Sequence, residues 1–412
     1  MLPLASSPEA RPVTPASGGA PAPRRTIVIV SESYIPRISG VTVSLVDMVR
    51  ALRALGHRVL VVAPRYPGYR DDDPDVLRLP SVPAPGTPEF PLLLPTVSGL
   101  LRDARIRQAD IIHVQSPFLA GRVGAVLARR LRRPLLYSQH TFYQAYLHYV
   151  PLIPPAITRP AVLWWVRRFA NRCSVVIVTS EAVRRFLREE GVTVPIELLP
   201  TGGVDPAQYV GLDGRAARAR HGIPADRSLL VTVSRLAPEK SVDLLLRAFQ
   251  QVTGPAGAYL LIVGDGPAAP SLRGLTRELG IAERTRFAGA LPHDDALAAM
   301  AGGDLFVFAS QTETEGLVLL EAMMAGLPVV AVGRAGAAEM VRHGETGLLV
   351  EPAPEALAAA VRQLLSDPAR RDAMGRRARE VAATYAYPVL ASRLAALYEA
   401  VIEQENVTPQ RS

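Results

Sequence analysis

The 412-residue chain has a single cysteine, Cys173, and a single lysine, Lys240. With one cysteine, no disulfide can form within the chain, and a metal site built from several cysteines is excluded. Cys173 opens the apolar segment CSVVIV, so we interpret it as a small buried residue without chemistry. The chain also lacks the run of about 18 apolar residues that a membrane-spanning helix requires, because proline or arginine interrupts each candidate.

Because lysine is nearly absent, arginine supplies almost all of the positive charge, and the formal net charge is +8. This charge is compatible with anionic lipid, nucleic acid or phosphorylated substrates. We expect no nucleic-acid partner, since the arginines are scattered over many predicted helices without a recognised reading module. The one lysine favours a position that requires a compact ammonium on a flexible stem, and a chance leftover of the arginine bias is the alternative.

The first residues are rich in proline, alanine and serine and have no basic residues ahead of an apolar stretch. Such a segment cannot form the apolar centre of a signal peptide. We therefore predict a disordered leader over residues 1–24 and a cytoplasmic protein.

Two series of apolar, strand-like segments alternate with helical patterns, which is typical of parallel α/β sheets. The segments of the first series are TIVIV, HRVLVVAP, DIIHVQ, PLLYSQH and SVVIVTS, and those of the second are SLLVTVSRL, AYLLIVG, RTRFAG, DLFVFAS, PVVAV and TGLLV. We predict two Rossmann-like domains, an N-terminal one over 25–205 and a second one over 206–384. Residues 385–412 are expected to form a helix that packs back on the N-terminal domain, then a tail. Ligands of such folds bind at the carboxyl ends of the strands.

The segment TETEGLVLLEAMMAGLPVV follows the strand DLFVFAS and reads as loop, helix, turn and strand. Gly316 would begin the helix, and the free N–H groups around Leu317 and Val318 suit a diphosphate. Glu313 lies on the preceding loop, where it could meet a bound sugar. Glu321 could accept hydrogen bonds from ribose hydroxyls, since a carboxylate is an acceptor only. On their own, the two glutamates also fit an ordinary loop and helix.

Four further residues belong at the predicted cleft. Arg235 and Lys240 lie in SRLAPEK after the first strand of the second domain, where two cations could neutralise a leaving nucleoside diphosphate without a metal ion. Gly40 lies at a strand-to-helix turn, where a missing side chain lets phosphate approach the backbone, and an ordinary turn glycine is the alternative. His140 ends the strand PLLYSQH and is placed beside the transferred sugar or, as an alternative, is a structural histidine. His113, within its strand, is interpreted as structural.

The acidic run DDDPD, residues 71–75, has the aspartate spacing that metal-dependent sugar transferases of a different fold use. No cleft signal accompanies it. We interpret it as a solvated loop, and no metal site is predicted.

Taken together, these motifs resemble glycosyltransferase family 4, the retaining enzymes of the GT-B fold, from Thr26 to Glu403. The resemblance implies transfer of a hexose from a nucleotide sugar with retention of configuration and without a cofactor. It implies that the domain over 25–205 binds the acceptor and that the domain over 206–384 binds the nucleotide sugar. It implies that the donor diphosphate binds Arg235 and Lys240 and approaches Gly40. It further implies that Glu321 binds the ribose, that Glu313 contacts the donor sugar, and that His140 lies near the reacting sugar.

Within the family, PRISGVTVSL and HTFYQAYLHYV are similar to bacterial diacylglycerol glucosyltransferases. This resemblance implies UDP-glucose as donor and diacylglycerol or glycosyl-diacylglycerol as acceptor, on the inner face of the cell membrane. Residues 90–107 and 158–172 mix apolar residues with arginine, as interfacial helices do. The residues expected to face lipid or acceptor are Tyr143, Tyr146, Trp164, Trp165, Arg167 and Arg168. Core packing of the two tryptophans and of the two tyrosines is the alternative.

Several alternatives stay open. The acceptor could be phosphatidylinositol, a polyisoprenoid or a soluble metabolite. The class could be a sugar-nucleotide epimerase on a related fold or a nucleotide-binding protein without catalysis.

Overall fold

The computed structural model describes residues 23–37, 40–84, 87–140, 155–200, 202–252, 257–312 and 316–407. The side chains of residues 87–90, 155–157 and 335 are not described.

The N-terminal half is built on a seven-stranded sheet in which every strand pairs in parallel with its neighbours. Its strands are β1 (Thr26–Val30), β2 (Arg58–Pro64), β3 (Val76–Leu79), β6 (Ile111–Val114), β7 (Leu135–Gln139), β8 (Val175–Val178) and β9 (Ile196–Leu198). The order β3-β2-β1-β6-β7-β8-β9 reverses between β1 and β6. This reversal is the switch point of a doubly wound sheet, where a crevice opens at the carboxyl ends of the strands.

Helices cover both faces of this sheet. They are α1 (Gly40–Ala54), α2 (Ser98–Arg102), α3 (Ala104–Arg107), α4 (Leu119–Leu131), α5 (Pro155–Ala170) and α6 (Glu181–Glu189). The central strands are largely apolar because both of their faces are buried.

The interfacial helix expected over residues 90–107 is wrong in its first part. An antiparallel hairpin of β4 (Ser81–Ala84) and β5 (Thr87–Leu93) occupies this region, and the short helices α2 and α3 follow it. Pro91 and Pro95 explain the difference, since proline lacks the N–H that a helix interior requires.

The C-terminal half is built on a second parallel sheet of six strands. They are β10 (Leu229–Val233), β11 (Tyr259–Val263), β12 (Thr285–Gly289), β13 (Leu305–Phe308), β14 (Val329–Val332) and β15 (Gly347–Val350). The order β12-β11-β10-β13-β14-β15 reverses between β10 and β13, so this sheet is doubly wound as well. The predicted class of two Rossmann-like domains is confirmed.

The helices of the second half are α7 (Gly214–Arg220), α8 (Val242–Val252), α9 (Ala269–Glu278), α10 (His293–Ala301), α11 (Leu317–Met324), α12 (Ala335–Met340), α13 (Pro354–Leu365), α14 (Pro368–Ala383) and α15 (Tyr387–Val407). The last of them leaves its own half. Leu390, Leu394 and Tyr398 of α15 are buried in one cluster with β1, β2 and α1 of the N-terminal half.

The chain crosses between the halves twice, and the two crossing segments pair with each other. The N–H of Val204 donates to the carbonyl of Tyr385, and the N–H of Tyr387 donates to the carbonyl of Val204, both at 3.1 Å. Gly203 makes this close pairing possible, because a Cβ at this position would lie 2.6 Å from the Tyr385 carbonyl oxygen. The junction is therefore a two-stranded connection beside the cleft.

Candidate active site

A cavity of about 470 Å³ lies between the two sheets, at the carboxyl ends of their strands. The N-terminal half contributes α1, through Gly40, Ser44 and Asp47. The crossing segments and the loops after β10, β11 and β12 form other walls, and the start of α11 completes the described lining. A Cβ at Gly40 would meet no atom within 4 Å, so the backbone there is open to a ligand.

The start of α11 presents unused backbone donors to this cavity. Gly316 precedes the helix at φ +69°, and its carbonyl accepts the N–H of Leu319 at 2.8 Å. The N–H groups of Leu317 and Val318 bind no acceptor in the described part of the chain, and both residues line the cavity. Free N–H groups and the positive end of the helix dipole make this an anion-binding position.

The carboxylate of Glu321 lies one turn further along α11, on the cavity wall. Burial raises the pKa of this carboxyl, and the nearby ring of His293 opposes the rise. No described residue hydrogen-bonds to the Glu321 side chain, which leaves both of its oxygens available. Tyr209 is its neighbour on the cavity wall, and burial followed by the Glu321 charge raises the pKa of the phenol.

Of the two predicted cations, Arg235 lines the cavity and Lys240 does not. Arg235 is more than half exposed, and its Nη2 donates to Glu239 at 2.7 Å. Lys240 ends the 3-10 helix Pro238–Lys240, five residues further along the same loop. Gly316 and His140 are also absent from the described lining of the large cavity.

Sequence reasoning missed the loop GDGP after β11. Gly264, at φ +126°, would place a Cβ 1.9 Å from the carbonyl oxygen of Ser234, and Gly266 would place one 2.4 Å from that of Leu236. The N–H of Leu236 donates to the carbonyl of Asp265 at 2.9 Å. The two glycines thus let this loop pack directly behind the Arg235 loop. The sequence could have indicated this loop, since the GDGP loop and the Arg235 loop follow adjacent strands of the same sheet.

A second missed group is polar and spans the cleft. Asp47 of α1, Asp205 of the crossing segment and His293 of α10 line the cavity together with Glu321. Burial raises the pKa of Asp47, and Asp205 adds to the rise. His293 Nε2 lies 3.3 Å from Gln208 Oε1. No sequence motif links these residues, because they come from separate parts of the chain.

His140 lies beside a second, much smaller cavity of about 20 Å³. Its Nε2 is 2.7 Å from Gln115 Oε1, and burial lowers the pKa of the ring to about 4. Ser44 lines both cavities, so His140 is separated from the large cavity by α1. His113 is fully buried, with Nδ1 2.8 Å from Tyr398 Oη and Nε2 2.8 Å from Ser138 Oγ.

The adjacent tryptophans of α5 point in different directions. Trp164 is 50% exposed, and the guanidinium of Arg168 stacks on it with Cζ 5.5 Å from the ring centroid. Trp165 is partly buried, and its Nε1 donates to the carbonyl of Pro117 at 2.8 Å. Arg167 is exposed and packs beside Gly191. Only Trp164 is therefore presented outward.

In the described residues, no helix is long and apolar enough to span a membrane.

The acidic run of residues 71–75 forms ion pairs with arginines. Asp71 and Arg78 are joined at 2.6 Å, and Asp73 and Arg53 at the same distance. The interpretation as a solvated loop is therefore wrong for these aspartates, because basic partners from β3 and α1 lie within reach. Cys173 is buried, and burial raises the pKa of its thiol.

Three predicted site residues lie outside the described residues: Glu313, Tyr143 and Tyr146. Their roles stay predictions.

Sequence comparison matches both halves of the chain to glycosyltransferase families. The profile described as Glycosyltransferase Family 4 matches residues 38–208, and that described as Glycosyl transferases group 1 matches residues 213–381. Over 317 residues, the chain is 31% identical to the alpha-monoglucosyldiacylglycerol synthase of Streptococcus pneumoniae, covering 74% of this chain and 71% of that protein. It is also 31% identical to a GDP-mannose-dependent alpha-mannosyltransferase of Mycobacterium tuberculosis, and this match covers 91% of this chain and 96% of that protein.

The fold is similar to that of solved glycosyltransferase structures. The structure of Anabaena HepE in complex with UDP superimposes with a TM-score of 0.72 at 24% identity, over 91% of this chain and 100% of that one. At this identity the likeness establishes the fold, and it confirms the predicted GT-B architecture.

Proposed function

Because the chain belongs to glycosyltransferase family 4, and is thus a nucleotide-sugar-dependent hexosyltransferase, we propose that it transfers glucose from UDP-glucose to diacylglycerol or glycosyl-diacylglycerol with retention of configuration. The observation that carries this proposal is the convergence of Arg235, the start of α11 and Glu321 on one cavity between the two sheets.

In this proposal, the nucleoside diphosphate lies along the carboxyl edge of the second sheet. Its phosphate oxygens accept hydrogen bonds from the N–H groups of Leu317 and Val318, and Arg235 and Lys240 supply positive charge. Glu321 accepts hydrogen bonds from the ribose hydroxyls, because an ionised carboxylate is an acceptor only. Gly40 leaves room on the opposite wall for the diphosphate.

The reaction breaks the bond between the anomeric carbon and the diphosphate oxygen and joins that carbon to the acceptor oxygen. Negative charge develops on the leaving diphosphate, and preorganised donors and cations stabilise it more in the transition state than in the ground state. No metal ion or cofactor is part of this proposal. The acceptor hydroxyl loses its proton, and we name no covalent nucleophile.

A lipid acceptor is favoured by two observations. The pneumococcal relative is named as a synthase of glucosyl-diacylglycerol, and so is a relative from Acholeplasma laidlawii, which is 27% identical over 92% of this chain. The outward face of α5 presents Trp164 beside exposed arginines, a combination that suits the interface of an anionic membrane. We therefore propose peripheral binding at the inner face of the cell membrane.

The second candidate is mannose transfer from GDP-mannose. It is favoured by the mycobacterial and corynebacterial relatives, which are 30 to 32% identical and named as GDP-mannose-dependent. Their named acceptors include a phosphatidylinositol monomannoside.

A donor and acceptor matrix tests these proposals. Purified protein is incubated with UDP-glucose, UDP-galactose, UDP-N-acetylglucosamine or GDP-mannose. Each donor is supplied with diacylglycerol or phosphatidylinositol in anionic vesicles. The expected product is α-glucosyl-diacylglycerol from UDP-glucose, absent with Glu321→Ala. A mannolipid formed from GDP-mannose would replace the first candidate by the second. A sugar-nucleotide epimer formed without acceptor would indicate an epimerase.

A further inference from the structure

The hairpin of β4 and β5 presents an apolar face to the outside of the N-terminal domain. Val82 is paired with Leu92 across the two strands, so their side chains lie beside each other on one face. Val82, Leu92 and Leu94 are 43%, 42% and 38% exposed, whereas Leu93 is buried in the core of the domain. Since successive side chains of a strand point to opposite faces, the hairpin packs through Leu93 and turns Leu92 outward.

Two features of the hairpin disfavour a further protein strand as the partner of this face. Pro83 and Pro91 are paired with each other, and neither has an N–H that an added strand could use. Over residues 80–101, Glu89 is the only charged residue. An apolar face with proline in both strands and so little charge suits lipid better than another strand.

The helices α4, α5 and α6 cover the same face of the sheet as the hairpin, because buried residues of all four belong to one core cluster. Residues 119–133, 155–172 and 181–190, which contain these helices, carry twelve arginines and three glutamates. The formal charge of these segments is +9, against +8 for the whole chain, so the rest of the chain is almost neutral. Ten of the twelve arginines are exposed. We call the outer surface of these segments the arginine face.

The arginine face has almost no acidic partners of its own. In the part of the chain that the structure describes, Arg184 is the only one of its arginines in an ion pair, with Glu181 at 2.7 Å. The arginines of α1 and β3 differ, since Arg53 and Arg78 are paired with aspartates. A dense group of guanidinium groups without carboxylates attracts external anions, and each guanidinium can bind a phosphate through two hydrogen bonds.

We propose that the β4–β5 hairpin is the membrane-insertion element of this protein. The apolar face of Val82, Leu92 and Leu94 enters the interface of an anionic bilayer, and the arginine face lies against the lipid phosphates. Apolar insertion and electrostatic attraction are the two contributions that hold a peripheral protein on such a surface. This inference rests on the peripheral membrane binding of the proposed function and names the elements that produce it.

The first test measures insertion directly. Cys173 is buried, so a cysteine introduced at an exposed position can be labelled selectively. Leu92→Cys carries an environment-sensitive fluorophore and is mixed with vesicles of equal parts phosphatidylglycerol and phosphatidylcholine. We expect a blue shift of the emission and quenching by doxyl-labelled lipid. Leu55→Cys is the matched control, because Leu55 is 44% exposed but follows α1 on the other face of the sheet, and its label should show neither change.

The second test measures flotation with the same vesicles, without donor or acceptor. Val82→Thr combined with Leu92→Thr keeps β-branched residues in the strands and removes apolar surface, so we expect the vesicle partition coefficient to fall roughly 10-fold or more. Thermal unfolding checks that this variant is folded.

The arginine face is tested in the same assay. Arg129→Gln combined with Arg130→Gln removes two exposed charges from α4, and a similar fall is expected. Arg376→Gln combined with Arg377→Gln, an exposed pair on α14, removes the same charge from the C-terminal half and should float as wild type does.

Transfer is measured separately, with diacylglycerol dispersed in detergent micelles, where no bilayer is present. If wild type transfers glucose there, but the label at residue 92 behaves as the label at residue 55 does, the insertion is wrong and the proposed reaction stands. If the label inserts but no donor is consumed, the insertion stands and the proposed reaction is wrong. A smaller mass of the Val82→Thr and Leu92→Thr variant in light scattering would show that this face joins two copies of the chain, which would also overturn the inference.

Discussion

Glu339 Oε2 accepts a hydrogen bond at 2.9 Å from the backbone N–H of Glu181, and this bond joins the two domains across the cleft. Glu339 belongs to α12 of the C-terminal domain, and Glu181 is the first residue of α6 in the N-terminal domain. The second oxygen of Glu339 accepts the N–H of Ala182 at 3.1 Å. A carboxylate of one domain thus caps a helix of the other, and α12 packs close to the Gly316 turn.

We expect Glu339→Ala to weaken closure of the cleft. The lost cap is worth about 1 kcal/mol, since it satisfies two otherwise free N–H groups of a helix start. Without donor, small-angle scattering should show a larger radius of gyration for Glu339→Ala than for wild type. The difference between the two proteins should become smaller once UDP is added. Glu278→Gln, which removes an exposed carboxylate from α9, is the control. An unchanged scattering profile for Glu339→Ala would show that the contact does not set the domain angle.

The second prediction concerns the pH dependence of donor binding. Burial raises the pKa of Glu321, so this carboxyl takes up a proton at a higher pH than an exposed glutamate does. The protonated form is a poorer acceptor for ribose hydroxyls. The donor KM should therefore rise as the pH falls, and Glu321→Gln should remove this dependence while raising KM roughly 10- to 100-fold at pH 7. A pH-independent KM in wild type would contradict the ribose role.

The second prediction has a counterpart in stability, since replacing the Glu321 carboxyl should stabilise the unliganded protein at neutral pH. A carboxyl whose pKa is raised by folding binds protons more tightly in the folded state, so its contribution to stability falls as the pH rises through that range. Glu321→Gln should therefore raise the Tm of the unliganded protein at pH 7 and have little effect near pH 4. Thermal unfolding of both proteins at the two pH values measures the difference. A lower Tm at pH 7 would show that Glu321 has a structural partner.

The third prediction concerns the single lysine. We expect Lys240→Ala to lower kcat/KM for donor roughly 100-fold, because it removes one of the two positive charges proposed to stabilise the leaving diphosphate. Lys240→Arg should recover only part of the loss, since a planar guanidinium does not replace a flexible ammonium. Arg247→Ala, on the exposed side of α8, removes the same charge and is expected to be neutral. Equal activity of Lys240→Ala and wild type would exclude the diphosphate role.

The fourth prediction compares two glycines of the C-terminal domain. Gly264→Ala should destabilise the protein by about 3 kcal/mol or more, because its φ of +126° is strained for other residues and the new Cβ would overlap the Ser234 carbonyl. Gly274 lies within α9 with open space around it, so Gly274→Ala should stabilise by up to about 1 kcal/mol. Urea unfolding of the pair measures both changes, and equal stabilities would contradict the packing argument.

The fifth prediction concerns the membrane. Trp164→Ala should lower the fraction of protein that floats with anionic vesicles, and Trp164→Phe should recover much of it, because an aromatic ring inserts at the interface. Because Trp164 is exposed, its replacement is not expected to unfold the protein, so unfolding should not cause the lower flotation. Near-ultraviolet circular dichroism of the variant checks this. Unchanged flotation of Trp164→Ala would place the membrane contact elsewhere.

The sequence alone was sufficient for the eleven strand segments of the two predicted series, and each formed in the structure. It did not indicate the hairpin of β4 and β5, nor β3 and β9, since VLRL and IEL are edge strands of only four and three residues that carry a charged residue. A strand of this kind is stabilised by its neighbour rather than by its own pattern.

The candidate site was predictable where it is local. Leu317, Val318 and Glu321 share one helix, so a single motif indicated their common position. Asp47 and His293 meet only because two domains face each other, and no spacing along the chain records that contact. The helix expected across residues 90–107 was wrong for a local reason. The apolar composition favoured a helix, but two prolines in the segment disfavour one.

The packing of α15 on the N-terminal sheet has a consequence for biosynthesis. The first domain is complete along the chain by about residue 200, yet α15, which covers one of its apolar faces, follows the whole second domain in the sequence. During translation of the whole second domain, Leu52, Val61 and their neighbours therefore lack their final cover. We therefore expect the nascent first domain to expose this apolar face, and to be prone to aggregation, until α15 has been synthesised.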